Sequence, residues 1–149
     1  DIEMGTKYSF GYYISDDVTI GFDYMDAKSS GSNAIEYYNG QFNAANIFAI
    51  YEMKESNGIT FFGTLSYGHV EFSSKRFFIY DNSQISSNSE EGTSQKVSYG
   101  GGISYKIDTN LELSLSITNS ILDDGFDGWD HGSGTDQYLY QSIGVRIYL

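Results

Sequence analysis

Ser142-Ile143-Gly144-Val145-Arg146-Ile147-Tyr148-Leu149, the last eight residues of the chain, alternate in character at every step. Side chains of a strand point to opposite faces in turn. Ile143, Val145, Ile147 and Leu149 therefore share one face, and Ser142, Gly144, Arg146 and Tyr148 the other. The same dyad recurs upstream. Met4, Thr6, Tyr8, Phe10, Tyr12 and Ile14 oppose Glu3, Gly5, Lys7, Ser9 and Gly11, while Leu111, Leu113, Leu115 and Ile117 oppose Glu112, Ser114, Ser116 and Thr118. With 17 Gly, 14 Tyr and no Pro in 149 residues, the chain reads as strands and turns in one domain spanning 1–149, its ladders nowhere interrupted by a missing N–H.

Three short polar clusters, Ser15-Asp16-Asp17, Glu55-Ser56-Asn57-Gly58 and Asp108-Thr109-Asn110, have the composition of tight hairpin turns. Three longer links rich in Ser, Asn, Gly and Asp, at about 28–42, 74–95 and 123–137, alternate with them. The strands between are expected at about 2–14, 18–28, 42–54, 59–73, 96–107, 111–122 and 138–149. The fold class is all-β: an antiparallel up-and-down barrel. Alternation alone leaves open which face is inside, since a soluble lipocalin-like carrier would turn its apolar face inward. Residue size favours a transmembrane barrel. The polar faces are mostly Gly and Ser, which suits a narrow lumen, and the apolar faces are broad and aromatic, which suits lipid. Tyr12, Tyr51, Phe61 and Tyr105 fall near the short-turn ends, as an interfacial girdle would.

The terminal stretch resembles the C-terminal assembly signal of bacterial outer-membrane β-barrels, carried here by Ser142, Gly144, Ile147 and Leu149, with Leu149 where that family usually has Phe. The resemblance implies a barrel of the OmpA-like or OmpX-like eight-stranded type, read by the barrel-assembly machinery. It also implies an outer-membrane location, with short turns periplasmic and long loops extracellular against lipid and lipopolysaccharide. Single-chain barrels have even strand numbers, so an eighth strand, ascending before Ile2, is expected. The C-terminal piece of a larger barrel is the alternative. Nothing from Asp1 onward resembles a signal peptide.

A net charge of −12 argues against nucleic acid as a partner. The absence of Cys excludes a disulfide framework and thiol-bound metal, and no motif asks for a cofactor. The inward parity carries Lys7, Asp23, Glu52, Lys54, Lys96, Lys106, Glu112 and Arg146. Charges facing a narrow lumen must pair, because an isolated buried charge is too costly. Lys7 is expected diagonally beside Asp23, and Arg146 against Glu112, in a network that plugs the pore, as in small barrels of that family. A small channel is the competing reading.

Of the long links, Asp123 to Gly132 holds four Asp and the only Trp, Trp129. Calcium takes several carboxylates from flexible loops, so Asp123, Asp127 and Asp130 are the weak metal candidates; their spacing does not match the EF-hand, and a solvated acidic loop is the plainer reading. Trp129, Phe77 and Phe78 are candidate contacts for a glycan, lipopolysaccharide or another outer-membrane protein. The stretch Lys75-Arg76-Phe77-Phe78-Ile79-Tyr80 also reads as a strand extension, and 82–95 as a region without order. Some barrels of this kind are proteases or lipid-modifying enzymes that use His with Asp or Ser, but the contexts of His69 and His131 match no such motif, and no enzyme is expected. Gly100-Gly101-Gly102 lies mid-strand, where it leaves room for curvature or a neighbouring ring.

Overall fold

The computed structural model describes residues 2–32, 36–53, 56–80, 83–123 and 135–147. They form β1 (Ile2–Ser15), β2 (Val18–Ser32), β3 (Glu36–Glu52), β4 (Ile59–Tyr80), β5 (Ser83–Asp108), β6 (Leu111–Asp123) and β7 (Thr135–Ile147). The strands lie in one sheet in chain order, each antiparallel to the next. The sheet curls into a half-barrel, bringing Arg146 of β7 against Glu52 of β3. Among the described residues, no ladder joins β1 to β7.

Each short turn is closed by its own chemistry. Asn57 and Gly58 both have positive φ, 55° and 79°, as a two-residue type I′ hairpin requires, and they join the bridge from Ser56 to Ile59. Asp16 and Asp17 link Ser15 to Val18, while Thr109 and Asn110 link Asp108 to Leu111. In the last of these the Asp108 carboxylate accepts a hydrogen bond of 2.6 Å from the Thr109 N–H.

The longer links are shorter than composition suggests. Lys28↔Gln41 through Ser32↔Tyr37 continue the β2–β3 ladder, and Ser74↔Glu90 through Tyr80↔Ser83 continue β4–β5. The stretch 82–95, expected without order, is strand from Ser83 onward. Pairing along a long edge supplies backbone hydrogen bonds that polar side chains do not oppose, so tertiary context overrides local composition. β4 and β5 thus reach 22 and 26 residues, against 13 each for β6 and β7.

The convex face is apolar and exposed. Tyr8, Phe10, Tyr12 and Ile14 of β1 point outward, as do Ile59, Phe61, Leu65 and Tyr67 of β4, Tyr99, Ile103, Tyr105 and Ile107 of β5, and Ile143, Val145 and Ile147 of β7. A lipocalin-like carrier would have the opposite arrangement. From Ile107 up to Val97 the band is about 25 Å tall for a rise of about 3.3 Å per residue and a tilt of about 40°, the height of a lipid-facing band. The concave face differs from the Gly- and Ser-lined lumen read from sequence. Its half towards the long links is an apolar cluster of Met25, Ala27, Phe42, Ala44, Val70, Phe72 and Leu122, with Tyr138 packed against it. Phe42 and Phe72 fall at the margins of the expected strands, where parity had not been followed.

Candidate functional site: a layered lumen

The lumen is built in lateral rows, because antiparallel register fixes which inward side chains stand side by side. Nearest the short turns, Lys106 of β5, Glu112 of β6 and Arg146 of β7 share a row. The Arg146 guanidinium donates to Glu52 Oε1 on the far side of the lumen and, at 3.3 Å, to Glu112 Oε1. It also lies 5.8 Å from the centre of the Phe62 ring. Tyr13 donates its hydroxyl to Glu52 Oε2 at 3.4 Å. One guanidinium with two carboxylates is a strong arrangement, since its planar fork satisfies several acceptors at once. Lys106 stands opposite Glu112 in register but is exposed at the rim.

Above this lie hydroxyl rows. Ser116 and Ser142 bond at 2.6 Å across β6 and β7, and Ser98 and Ser120 at 2.8 Å across β5 and β6. Gly102 sits where a Cβ would come within 2.7 Å of the Phe62 ring, so the glycine gives that aromatic side chain its place.

The next row runs Asp23, Asn46, Gly68, Lys96 from β2 to β5. Asp23, almost wholly buried, takes the Lys7 ammonium on Oδ2 at 3.1 Å and the Asn46 amide on Oδ1. Lys7 and Asp23 are diagonal neighbours, because Ser9 is the register partner of Asp23. A side chain at Gly68 would overlap the Ala45 carbonyl and Asn46, so the row exists only with glycine there. Lys96 is the largest of the fully buried side chains described. Directly above are Met25, Ala44 and Val70, then Ala27, Phe42 and Phe72. The Tyr138 ring reaches Phe42 from β7, with centroids 5.7 Å apart.

The structure thus brings together Lys7 with Asp23, and Arg146 with Glu52 and Glu112. Of the terminal stretch, Ser142 and Gly144 line the lumen, Gly144 so close that a Cβ would sit 2.8 Å from Ser114 Oγ, and Ile147 faces outward. Phe77 is half-buried on β4, and Phe78 follows it in the strand. Asp123 ends β6. Lys54, Asp127, Trp129, Asp130, His131 and Leu149 lie outside the described residues. His69 faces outward above the band, its Nδ1 3.5 Å from the Gln95 amide. An upper aromatic set, Tyr8, Tyr24, Tyr67 and Tyr99, stands outward opposite the lower girdle, with Asn119 donating to the Tyr99 hydroxyl at 2.8 Å. Its sequence signal was present: each is the last aromatic residue of its strand before outward positions turn polar.

Sequential up-and-down antiparallel strands and an outward apolar band edged by aromatic rings define the outer-membrane β-barrel fold, and this chain has it. Two solved structures share the architecture. Over 96% of this chain and 81% of the other, it superposes on Neisserial surface protein A with a TM-score of 0.60 at 17% identity. Over 96% and 79% it superposes on Ail, the attachment invasion locus protein of Yersinia pestis, with a TM-score of 0.50 at 12% identity. No protein-family model matches the sequence, and comparison with curated proteins gives no match.

Proposed function

We propose that this protein resides in the outer membrane as a closed barrel with a structural or surface-interaction role, alone or as a subunit of a larger outer-membrane complex. The observation that carries the reading is the pairing of a lipid-height apolar band outside with a lumen filled inside. The ionic layer of Arg146, Glu52 and Glu112 and the apolar layer around Phe42 and Phe72 close the lumen in series. In this reading the short turns are periplasmic and the long β4–β5 hairpin is extracellular. Lipid and lipopolysaccharide surround the band, and the assembly machinery engages β7. Phe77 on the hairpin is the candidate surface contact, and no catalytic role is assigned.

One further antiparallel strand belongs in the seam. β1 and β7 both run towards the short-turn rim, so joining them directly would require a parallel pair in an otherwise antiparallel sheet, whereas one intervening strand restores the alternation and removes both edges. The test is folding and conductance. The protein is expected to fold in detergent micelles or vesicles, to migrate differently on a gel before and after heating, and to leave a planar bilayer at baseline current. Cooperative folding in plain buffer would overturn the membrane reading, and steady conductance would overturn the closed lumen.

A further inference from the structure

The outward surface of β6 and β7 differs from the rest of the convex face. Each of β1 to β5 turns a tyrosine outward: Tyr8, Tyr24, Tyr51, Tyr67 and Tyr99 in turn. Between Leu111 and Ile121 of β6, and between Leu139 and Ile147 of β7, the outward side chains are instead Leu, Ile and Val, save two amides, Asn119 and Gln141. Aromatic rings anchor a strand where lipid meets water, so this two-strand wedge lacks the anchors its neighbours have.

The two amides are not equivalent. Asn119 donates to the Tyr99 hydroxyl of β5 at 2.8 Å. Gln141 stands opposite Ile117 in register, with Leu139 and Ile143 beside it on the same face, and among the described residues its carboxamide has no hydrogen-bond partner. From Ile147 up to Gln141 the strand climbs about 15 Å, at a rise of about 3.3 Å per residue and a tilt of about 40°, within a band about 25 Å tall. That depth is hydrocarbon, where water does not reach and an unpaired polar group is costly.

The partner that suits this surface is the same surface of a second copy. Copies inserted by one route share one orientation, so a symmetric contact has its two-fold axis along the membrane normal, and a residue close to that axis meets itself. A carboxylate or an ammonium would then face its like. A carboxamide carries donor and acceptor together, so two of them related by the axis can exchange two N–H···O=C bonds. We propose that β6 and β7 form the interface of a homodimer within the membrane, with the Gln141 side chains of the two copies hydrogen-bonded to each other amid Leu115, Ile117, Leu139 and Ile143. The contact rests on the reading that the convex face lies in lipid. Two rivals would engage Gln141 within one chain: Asn119 Oδ1, diagonal to it across the β6–β7 ladder, and the strand that closes the seam beside β7.

The chain contains no Cys, so a single introduced thiol forms a disulfide only between copies. The full protein is folded in vesicles, with Leu139→Cys, Ile143→Cys or the remote outward Phe22→Cys, and oxidised; sedimentation in density-matched micelles measures the dimer of the wild type and of Gln141→Leu. Heat-modifiable gel migration is read first and tests the membrane reading separately, since association is scored only on folded protein. Disulfide dimers at positions 139 and 143 but not at 22, and a dimer weakened about tenfold in Gln141→Leu by the loss of two hydrogen bonds in lipid, are expected. A wild type that stays monomeric at every protein-to-lipid ratio, cross-linking of Phe22→Cys as efficient as on β7, or a dimer indifferent to Gln141→Leu overturns the proposal. So does a lowered unfolding midpoint of Gln141→Leu with unchanged association, which would give the amide a partner in its own chain. If Gln141→Leu does not fold, the contrast between positions 139 and 22 decides alone.

Discussion

The two ends of the concave face are lined by opposite chemistries. At the short-turn end Arg146 spans the interior to reach Glu52 and Glu112, and at the other Phe42, Val70, Phe72 and Leu122 pack into one apolar cluster. The ionic end depends on geometry, because each charge is tolerated only while its partners stay in place. The apolar end depends on volume, because a lost methylene leaves a cavity. The ionic end also sits where strands turn and register is pinned by hairpins, which suits directional bonds. The apolar end sits where paired strands continue beyond the band, and its side chains need only fill space.

That contrast is open to direct attack. The largest effect is expected from Phe72→Ala, about 3–5 kcal/mol of stability lost in urea titrations of the vesicle-embedded protein, from lost transfer energy and the cavity left behind. Combined with Phe42→Ala it should also raise bilayer conductance if the apolar layer seals the lumen; a silent double variant would assign the seal to the ionic layer. Arg146→Ala strands two carboxylates and should cost about 2–3 kcal/mol, below the figure for a fully buried pair because the arginine retains some exposure. A double-mutant cycle with Glu52→Gln should return a coupling of about 1–3 kcal/mol, and a coupling near zero would remove the pair from any account of closure. Gly68→Ala, which pushes a methyl into Asn46 and the Ala45 carbonyl, should cost about 1–3 kcal/mol. Lys7→Gln should cost least, under about 1 kcal/mol, because the lysine side chain is 38% exposed; the unfolding midpoint measures it.

Most of the architecture was legible in the alternation. The runs Leu111 to Ile117 and Ile143 to Ile147 fixed strand and face together, because one face of each is uniformly apolar. Inward parity also gathered the charges that the structure brings into contact, Lys7 with Asp23 and Arg146 with Glu112. The partnership of Arg146 with Glu52 was not legible, because it crosses the lumen between strands that are not neighbours, and alternation carries no information across a barrel. Strand length was misread for β4 and β5. Ser, Gln and Glu dominate 83–95 and signal a loop locally, yet the β4 partner supplies a ladder. The apolar layer is not legible for a related reason: Phe42 and Phe72 stand opposite each other in register at the very margins of the expected strands 42–54 and 59–73, and the partners that complete their row and cluster come from other strands.

The length of the β4–β5 hairpin has a mechanical consequence. From Tyr67 to Tyr80 the ribbon climbs about 40 Å along its own direction at about 3.3 Å per residue. A flexible loop holding the same residues would recoil entropically and spend most of its time near the rim. A hydrogen-bonded ribbon, cross-braced by β3 through Glu36↔Phe78, keeps its far end at a fixed stand-off, so a large body approaching that end would meet the Tyr80↔Ser83 end of the ladder before the lipid surface. The hairpin is in this sense a spacer: it sets the distance at which first contact occurs and leaves its chemistry to the residues it carries.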